Sequence, residues 1–404
     1  MSSLRVSYNT NRKTRGHFFL YLVFSLILLY AVQDFQSSAN TGARDAVRDP
    51  VHLTLVMILV GLGMYYVYTA IRHGIKRHPV AQALWLITWW VAVVNLIQHV
   101  STWSVAVHCG LSMLWILAYH FFSSYLQCHP SAWRHMQACV VIMFGFYVFS
   151  ALYATLVLRM MYNRIVVVNL AYSVLVFLPW LELISSKWMR RLAIGLVFFV
   201  VLVSMKRGAI IVLPIMLSTS LAVKAIIGKK GGSAFVRNII VLVLLLVGFL
   251  AADQWTGGYL SERFSPESLS SGSGRTQLYS YAIEDISQRS LWNLLIGRGS
   301  GSSIQMLGTG VHNEWLEFFF SFGVIGITLY GLFFCSLGWR VLQLIKKASP
   351  YASAYAMAIT YVFVVGMYGG IYFVHSTLYI MAFLGAVEGL TVRDLQIAQA
   401  YETS

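Results

Sequence analysis

Residues 309–326, TGVHNEWLEFFFSFGVIG, begin with a polar pair, His312 and Asn313, and continue as an apolar run that carries Glu314 and Glu317. A long polar segment comes directly before this run. The apolar residues continue far enough beyond it to cross a bilayer as a helix. The junction therefore predicts the place where a polar loop ends and a membrane helix begins, with a histidine at the mouth of that helix.

The whole chain has the composition of a membrane protein with many helices. Of its 404 residues, 58% are hydrophobic and 11% are charged, and the mean hydropathy is +0.70, whereas roughly a quarter of the residues in soluble domains are charged. We therefore predict an all-α polytopic membrane protein, because a β-barrel would show short alternating segments instead. Since no small-residue cleavage site follows the first apolar run, we expect a retained helix and not a cleaved signal peptide.

Apolar runs along the chain predict about twelve transmembrane helices. Residues 192–205 and 208–226 could also form one kinked segment, although about 35 residues is too long for a single crossing. The predicted organisation is nine helices in 1–252, a large periplasmic loop at 253–311, and three helices with a cytoplasmic tail in 312–404. The twelve segments lie near 17–32, 51–71, 80–97, 102–126, 138–158, 165–184, 192–205, 208–226, 239–252, 315–338, 351–369 and 376–391.

The basic residues predict the orientation of the chain. If both termini are cytoplasmic, 19 of the 29 Lys and Arg residues lie on the inner side, and 10 of the 14 acidic residues lie outside. Short loops rich in Lys and Arg stay in the cytoplasm, so this orientation is favoured. Much of the net charge of +15 is then explained by topology and anionic lipid, and nucleic acid is not needed as a partner. The four cysteines show neither a disulfide framework nor the spacing of a zinc site.

The long loop at 253–311 carries signs of internal structure. Residues 275–289, RTQLYSYAIEDISQR, place apolar side chains at i, i+4 and i+8 from Leu278, which predicts a helix, and Ser273 is a plausible N-cap. A short apolar stretch then ends in alternating glycines, which lack the Lys-Ser/Thr that would follow in a nucleotide loop. These glycines are Gly297, Gly299 and Gly301.

Three basic residues on the predicted outer face are candidates for a functional site. Arg207 lies with Lys206 in a short turn between two apolar segments, where the positive-inside rule disfavours cations; the alternative is a turn whose cations reach to lipid head groups. Arg275 stands at the start of the predicted loop helix, a position suited to phosphate, although it could be an ordinary exposed arginine. His312 can accept a proton near neutral pH, or it could simply cap the helix with Asn313.

Together these residues favour one chemistry, glycosyl transfer from a lipid-diphosphate sugar. The arginines would hold the diphosphate, and the histidine would assist attack by a hydroxyl group. No cluster of acids with metal-ligand spacing is evident in the sequence, so the arginines would stabilise the leaving group in place of a divalent ion. We therefore expect neither a metal nor another cofactor. Glu314 and Glu317 are more typical of helix capping or of pairing with arginine than of catalysis.

Several short motifs resemble the bacterial O-antigen polymerase and O-antigen ligase superfamily. They are Ser204 to Gly208, similar to that family's Ser-x-x-Arg-Gly segment; Ser273-Gly274-Arg275 before the loop helix; Gly297-Arg298-Gly299; and His312-Asn313 followed by Gly323 and Gly326. The motifs cover residues 190–330, and the predicted topology extends the likeness to the whole chain. Each motif is loose, but their order and spacing are more specific. Lys206 departs from the small or polar residue that the family carries there.

The resemblance implies an integral membrane glycosyltransferase with a GT-C-like helical fold in the bacterial inner membrane. It implies an undecaprenyl-diphosphate-linked glycan as donor, bound on the periplasmic face by Arg207 and Arg275, with His312 at the reaction centre. Transfer would be independent of metal and would invert the anomeric centre. Five neighbouring residues are predicted to contact substrate: Lys206, Ser273, Gly274, Arg298 and Asn313.

The sequence does not determine which acceptor is used. A polymerase would use a second lipid-linked repeat unit, with a chain-length regulator as a candidate partner, and a ligase would use lipid A–core; we favour the polymerase. A transporter or flippase is the competing class, which would place ionisable groups in mid-membrane and show repeat symmetry. Its candidates are His108, His120 and Glu182, and each histidine is more typical of a hydrogen-bonded residue inside a helix bundle.

Overall fold

The fold is seen in a computed structural model of the chain. The structure describes the backbone of residues 15–39, 44–73, 78–100, 102–157, 169–228, 231–265, 275–369 and 377–402. All regular elements in these ranges are helices, as the composition predicts.

Helices lie at each of the twelve apolar segments, and short helices occupy the long connection. Before that connection they are α1 (Arg15–Ala39), α2 (Arg44–His73), α3 (Pro79–Ile97), α4 (Thr102–Cys128), α5 (Ala132–Leu152), α6 (Leu170–Leu175), α7 (Leu178–Glu182), α8 (Lys187–Val203), α9 (Arg207–Gly228) and α10 (Gly231–Trp255). The connection contains α11 (Tyr259–Arg263), α12 (Arg275–Ser287), α13 (Leu291–Ile296) and α14 (Ser302–Leu307), and α15 (Glu314–Lys346), α16 (Ala352–Gly366) and α17 (Thr377–Glu402) follow.

Among the described residues, six helices are long and apolar enough to cross a membrane by length and composition. They are Thr54–Arg72, Pro79–Ile97, Cys109–Cys128, Ala132–Val157, Arg207–Gly228 and Glu314–Lys346, and three shorter apolar helices accompany them. Exposed Val and Leu side chains on α10 include Val243, Leu244 and Val247. Such a surface is costly in water and suits a lipid environment. The chain therefore has the character of an all-α membrane protein, and the number of crossings stays a prediction.

Two segments that the sequence predicts as continuous helices are interrupted. The segment 165–184 contains two short helices, α6 and α7, and Pro179 lies within the first two positions of the second. Pro removes a backbone donor and favours the start of a helix. In α15, Gly323 has φ +66° and ψ −165°, so the helix is kinked there. Only glycine adopts such a backbone conformation without a large steric cost.

The core of the bundle lies where α17 packs closely along α4. A Cβ atom on Gly385 or Gly389 would lie 2.3 Å from the carbonyl oxygen of Tyr119 or Ser123, respectively. Small residues of this kind allow two helix backbones to approach each other in a membrane. Because these contacts tie the last helix to the fourth, segments far apart in the sequence form one packed unit.

Candidate functional site

The site begins at the turn between α8 and α9, which consists of residues 204–206. Met205 in this turn has φ +54° and is buried, a conformation that costs free energy for a residue with a side chain. Lys206 and Arg207 follow and are both half-buried. The turn shows that 192–205 and 208–226 are two helices, which excludes a single continuous helix.

Gly208 lets two tyrosines close over the start of α9. A Cβ atom at this position would lie 1.9 Å from the Tyr172 hydroxyl oxygen and 2.6 Å from the Tyr368 ring. The Tyr368 hydroxyl donates to the Gly208 carbonyl oxygen at 3.0 Å. The Lys206 ammonium lies 5.7 Å from the centre of the Tyr172 ring, a cation–π distance. The glycine of the Arg-Gly motif is therefore required by close packing.

Arg275 connects the loop helix to the same place. It is the first residue of α12, which confirms the helix predicted for this part of the loop. Its guanidinium donates to the Tyr368 carbonyl oxygen at 2.9 Å. Tyr368 therefore contacts Arg275 through its carbonyl and the backbone of α9 through its hydroxyl, and this brings Arg275 and the 206–208 turn together.

Arg263 belongs to the site as well, although it is not among the candidates found in the sequence. It is the last residue of the five-residue helix α11, in a part of the long loop where the sequence analysis predicts no helix. The Arg207 guanidinium donates to the Arg263 carbonyl oxygen at 2.7 Å. The one available signal was a cation on the side of the membrane where the positive-inside rule disfavours it.

Lys206, Arg207, Arg263 and Arg275, here called the cationic cluster, repel one another. Burial, followed by Arg275, Arg263 and Arg207, lowers the pKa of Lys206 to about 8. In the part of the chain that the structure describes, no salt bridge joins Lys206, Arg263 or Arg275 to a carboxylate. Several positive charges in one half-buried place attract a polyanion, and arginine matches phosphate oxygens with two donors.

His312 lies beside this cluster in a strained backbone conformation. It has φ +58°, and its side chain is exposed. The Tyr279 hydroxyl donates to the His312 carbonyl oxygen at 3.3 Å, and Asn313 caps α15 by accepting from the Leu316 amide at 3.1 Å. Left-handed residues other than glycine persist only where their surroundings hold them, and they concentrate at functional sites.

The charges around His312 favour its neutral form. Partial burial of the imidazole, followed by Arg275 and Lys206, lowers the pKa of His312 below its usual value, and Glu317 opposes this shift. Arg275 also affects Tyr279, whose hydroxyl contacts the His312 backbone: burial raises the pKa of Tyr279, and Arg275 and a hydrogen bond with Asn313 oppose that rise. A neutral imidazole next to several cations can accept a proton at neutral pH.

A cleft opens next to His312 on the side of the Gly-rich segment. It has a cavity volume of about 170 Å³ and is lined mainly by small and polar residues, among them Ser300, Ser303, His312, Asn313 and Glu317. The geometry thus places His312 between a cleft that can accept a ligand and a cluster that can bind an anion.

The glycines of Gly297-Arg298-Gly299 pack against the kink of α15. A Cβ atom on Gly297 would lie 2.3 Å from the Ser321 carbonyl oxygen, and one on Gly323 would lie 2.3 Å from the Leu295 carbonyl oxygen. The Gly299 amide donates to the Ser321 carbonyl oxygen at 2.8 Å. The Gly-x-Gly stretch is therefore a backbone contact that fixes the loop against the helix that follows His312.

The end of α3 holds the same glycine segment from the other side. The side-chain amide of Gln98 donates to the Gly297 carbonyl oxygen at 2.7 Å. The buried side chain of Asn95 donates to the Ser300 hydroxyl at 2.9 Å and accepts from the Ser300 amide at 2.7 Å. The first half of the chain, which carries no motif of the site, thus contributes to its framework.

Arg298 is engaged away from the cationic cluster. One of its terminal nitrogens lies 2.9 Å from Asp285, which also pairs with Arg289 at 2.6 Å. Its other terminal nitrogen contacts the Met306 sulfur at 2.8 Å. Through these contacts Arg298 connects parts of the loop. Its contact with substrate stays a prediction.

The other sequence candidates divide between described and undescribed residues. Ser273, the predicted N-cap, and Gly274 lie outside the described residues.

Within the described ranges, no group of three or more His, Cys, Asp or Glu side chains could hold a metal ion. The sequence is matched by no family model and significantly by no curated protein. The functional conclusion therefore depends on the residues and their arrangement.

The residues that favoured a transporter have structural partners where they are described. The His120 ring nitrogen Nε2 contacts the Thr69 hydroxyl at 2.8 Å and the Ser124 hydroxyl at 3.3 Å. Glu182 forms a salt bridge with Lys224 at 2.8 Å. The side chain of His108 lies outside the described residues. His120 is thus a hydrogen-bonded histidine of the bundle, as its position in the sequence indicates.

Proposed function

We propose that this protein is a membrane glycosyltransferase of the O-antigen polymerase type. It transfers a glycan from an undecaprenyl-diphosphate carrier to a second lipid-linked repeat unit. The observation that supports this most directly is the position of His312, whose neutral form is favoured, beside the four cations. A proton acceptor next to a diphosphate-binding cluster is what transfer from a lipid diphosphate requires.

The cationic cluster would bind the diphosphate and stabilise it as it leaves. Arg207 and Arg275 come from separate helices that meet at Tyr368: Arg275 donates to its carbonyl oxygen, and Gly208, the residue after Arg207, accepts from its hydroxyl and packs against its ring. Their guanidinium groups would share the charge that develops on the leaving oxygen. Since these donors are already held in place by the protein, little reorganisation is needed during the reaction.

His312 would act on the acceptor. The acceptor hydroxyl oxygen forms the new bond to the anomeric carbon, the bond from that carbon to the diphosphate oxygen breaks, and His312 takes the hydroxyl proton as the bond forms. A single displacement of this kind inverts the anomeric centre. The acceptor sugar would occupy the cleft beside Ser303 and Asn313, and the lipid diphosphate leaves as an anion.

The proposed setting is the bacterial inner membrane, with both termini in the cytoplasm and the site facing the periplasm. The positive-inside pattern supports this orientation, and the residue order of the Arg-Gly, Gly-x-Gly and His-Asn motifs supports the family. The helices and the large connecting segment are compatible with a GT-C-like arrangement. A chain-length regulator is a possible partner of a polymerase, and the inferred orientation would allow contact with it in the periplasm.

The test uses purified full-length protein in nanodiscs with the undecaprenyl-diphosphate repeat unit as the sole glycan substrate. A chelator is present, and glycan length is followed by gel and mass spectrometry. Lengthening without another acceptor is the expected result. Transfer only after lipid A–core is added would replace the polymerase with a ligase that uses the same donor. Absence of transfer to either acceptor would overturn the proposal.

A further inference from the structure

Glu317 is the group that connects the Gly-rich segment to the turn at His312. Its Oε1 accepts from the Ser303 hydroxyl at 2.6 Å and from the Ser321 hydroxyl at 3.1 Å. Its Oε2 accepts from the Val311 amide at 3.0 Å. The two serines are buried. One carboxylate therefore binds α14, the turn that precedes His312 and the region of α15 next to its kink.

These three bonds match the acceptor pattern of an ionised carboxylate. All three partners donate, and an ionised carboxylate only accepts, so the donor and acceptor pattern is fully matched. Hydrogen bonds to a charged acceptor are about twice as strong as neutral ones. An amide of the same size would keep one oxygen and would present an NH₂ group, itself a donor, to the donors that face the other oxygen.

The residue that follows Val311 is the strained one. His312 keeps φ +58°, a conformation that persists only where the surroundings hold it. The bond from the Val311 amide to Glu317 fixes the Gly310–Val311 peptide, one residue before His312. The Tyr279 hydroxyl holds its carbonyl at 3.3 Å, and the Asn313 cap holds the other side. Glu317 is thus placed to set the direction of the imidazole.

We infer that Glu317 is a positioning residue for His312, which holds its turn and provides a negative charge beside it. The inference rests on the proposed function and adds a residue that the sequence assigned to helix capping. Glu317 does not need to contact substrate in this role. Its effect should therefore appear in the rate of transfer and in its dependence on pH more than in donor binding.

The charged groups around His312 come from three elements. Arg275 belongs to α12, Lys206 to the turn before α9, and Glu317 to α15. Burial, Arg275 and Lys206 lower the pKa of His312, and Glu317 raises it; the Tyr279 hydroxyl also faces the His312 backbone. Removing the carboxylate removes the opposing influence, so the pKa of His312 would decrease further.

Two substitutions at Glu317 distinguish the effect of its charge from the effect of its side-chain length. Glu317→Gln removes the charge, and Glu317→Asp keeps it on a shorter side chain that cannot reach all three donors. We expect each variant to lower kcat about 10- to 100-fold, since a small displacement of a reacting group has effects of this size. We expect KM for the donor to stay within about threefold. The acidic limb of the rate profile should move to lower pH only in Glu317→Gln.

The control is Glu284→Gln, which makes the same chemical change on an exposed residue of α12. It should leave both kcat and the pH profile unchanged. Ser303→Ala removes one of the three bonds while the carboxylate stays, and it provides a milder variant if Glu317→Gln does not fold. It should lower kcat by several-fold with an unchanged acidic limb.

The outcomes separate the inference from the proposed function. If the wild-type protein transfers no glycan to either acceptor, the proposed function fails. If the wild-type protein is active and Glu317→Gln and Ser303→Ala match it in kcat and pH profile, the positioning role is wrong and the function stands. A loss of rate in Glu317→Gln with no shift of its acidic limb would overturn the electrostatic part and would leave only the role in holding the turn.

Discussion

The two ends of α9 lie among different charged groups. Arg207 begins the helix within the cationic cluster, and Lys224 lies 17 residues later, about 25 Å along the axis of a helix. Lys224 forms a salt bridge with the buried carboxylate of Glu182 at 2.8 Å. Glu182 also accepts from the hydroxyls of Ser220 and Ser353. The same helix therefore carries a compensated charge at one end and a concentration of cations at the other.

The start and the end of α15 also lie among different charged groups. His312 lies just before its start, whereas Arg340 lies near its end and binds Glu388 of α17 through two nitrogens at 2.7 and 2.9 Å. Glu388 is buried, and His78 approaches it at 3.4 Å. These groups join helices that lie far apart in the sequence. A buried pair with good geometry is a structural connection, because each charge replaces the water that the other has lost.

The comparison gives a physical criterion for separating structural charges from functional ones. At the Glu182 and Glu388 end, the protein supplies the counter-charge itself. In the cationic cluster, burial and then the neighbouring cations lower the pKa of Lys206 to about 8, and we propose that an anion from outside stabilises the cluster. We therefore expect substitutions in the cluster to impair transfer and those at the opposite end to impair stability.

The largest effect is expected for Arg275→Ala. It should lower the rate of transfer about 10²- to 10³-fold, the loss found when one donor to a developing oxyanion is removed. The matched control is Lys224→Ala, which removes a cation from the opposite end of the bundle. Rates should be measured per amount of folded protein in nanodiscs. An equal loss in the two variants would remove the distinction between the two ends.

Arg340→Leu should lower the stability of the protein and have little effect on transfer. It leaves the carboxylate of Glu388 buried without its bidentate partner, which costs about 3–5 kcal/mol in comparable cases. Thermal unfolding in detergent should show a lower midpoint, whereas transfer per folded molecule should stay within about twofold at low temperature. A strong loss of transfer with an unchanged midpoint would place Arg340 in the functional machinery.

Gly208→Ala should lower transfer about 10- to 100-fold by displacing two tyrosines from the site. The new methyl group would overlap the Tyr172 hydroxyl and approach the Tyr368 ring, and Tyr368 contacts Arg275. Gly195→Ala is the matched control, because nothing lies within 4 Å of a Cβ atom at that position. Similar activity of Gly208→Ala and Gly195→Ala would show that the close approach is not required.

The pH dependence tests the neutral form of His312. Because its pKa lies below the usual value, the midpoint of the decrease in rate at acidic pH should lie below about 6.5, as the imidazole becomes protonated. Lys206→Gln removes one nearby cation, so the pKa of His312 should rise and the acidic limb should move to higher pH. A shift to lower pH, or none, would argue that Lys206 does not act on His312.

The smallest effect is expected from Lys206 on donor binding. Since its pKa is about 8, it loses its charge as pH rises through that value, and KM for the donor should increase by several-fold at alkaline pH. Lys206→Arg keeps the charge and should make KM independent of pH in that range. A rise in KM of the same size in Lys206→Arg would assign the effect to another group.

Much of the fold could be predicted from the sequence. Hydropathy located helices at each of the twelve apolar segments, because the length of an apolar run and the period of its side chains are local properties. The helix that begins at Arg275 was predicted for the same reason. The interruption between α6 and α7 and the kink at Gly323 were not predicted. Both Pro179 and Gly323 are visible in the sequence, but whether such a residue breaks a membrane helix depends on its neighbours.

The candidate site was predicted only in part. Arg207 and His312 stand out as ionisable groups at the ends of apolar segments, and Arg275 stands out at the start of the loop helix. Arg298 stands out only as part of the Gly-x-Gly motif, and it pairs with Asp285. Arg263 and Tyr368 did not stand out, because nothing in their local sequence differs from an ordinary arginine or tyrosine. Their roles come from contacts across 56 and 93 residues.

The sequence by itself determined the class of the protein, the positions of its helices and the types of residue that could carry the chemistry. These depend on transfer free energies and periodicities that act over one helix at a time. The tertiary structure decided which cations lie together, which charges are compensated and how Glu317 contacts the turn at His312. Electrostatic interactions depend on distance in space and on burial, and only packing between distant segments fixes these two quantities.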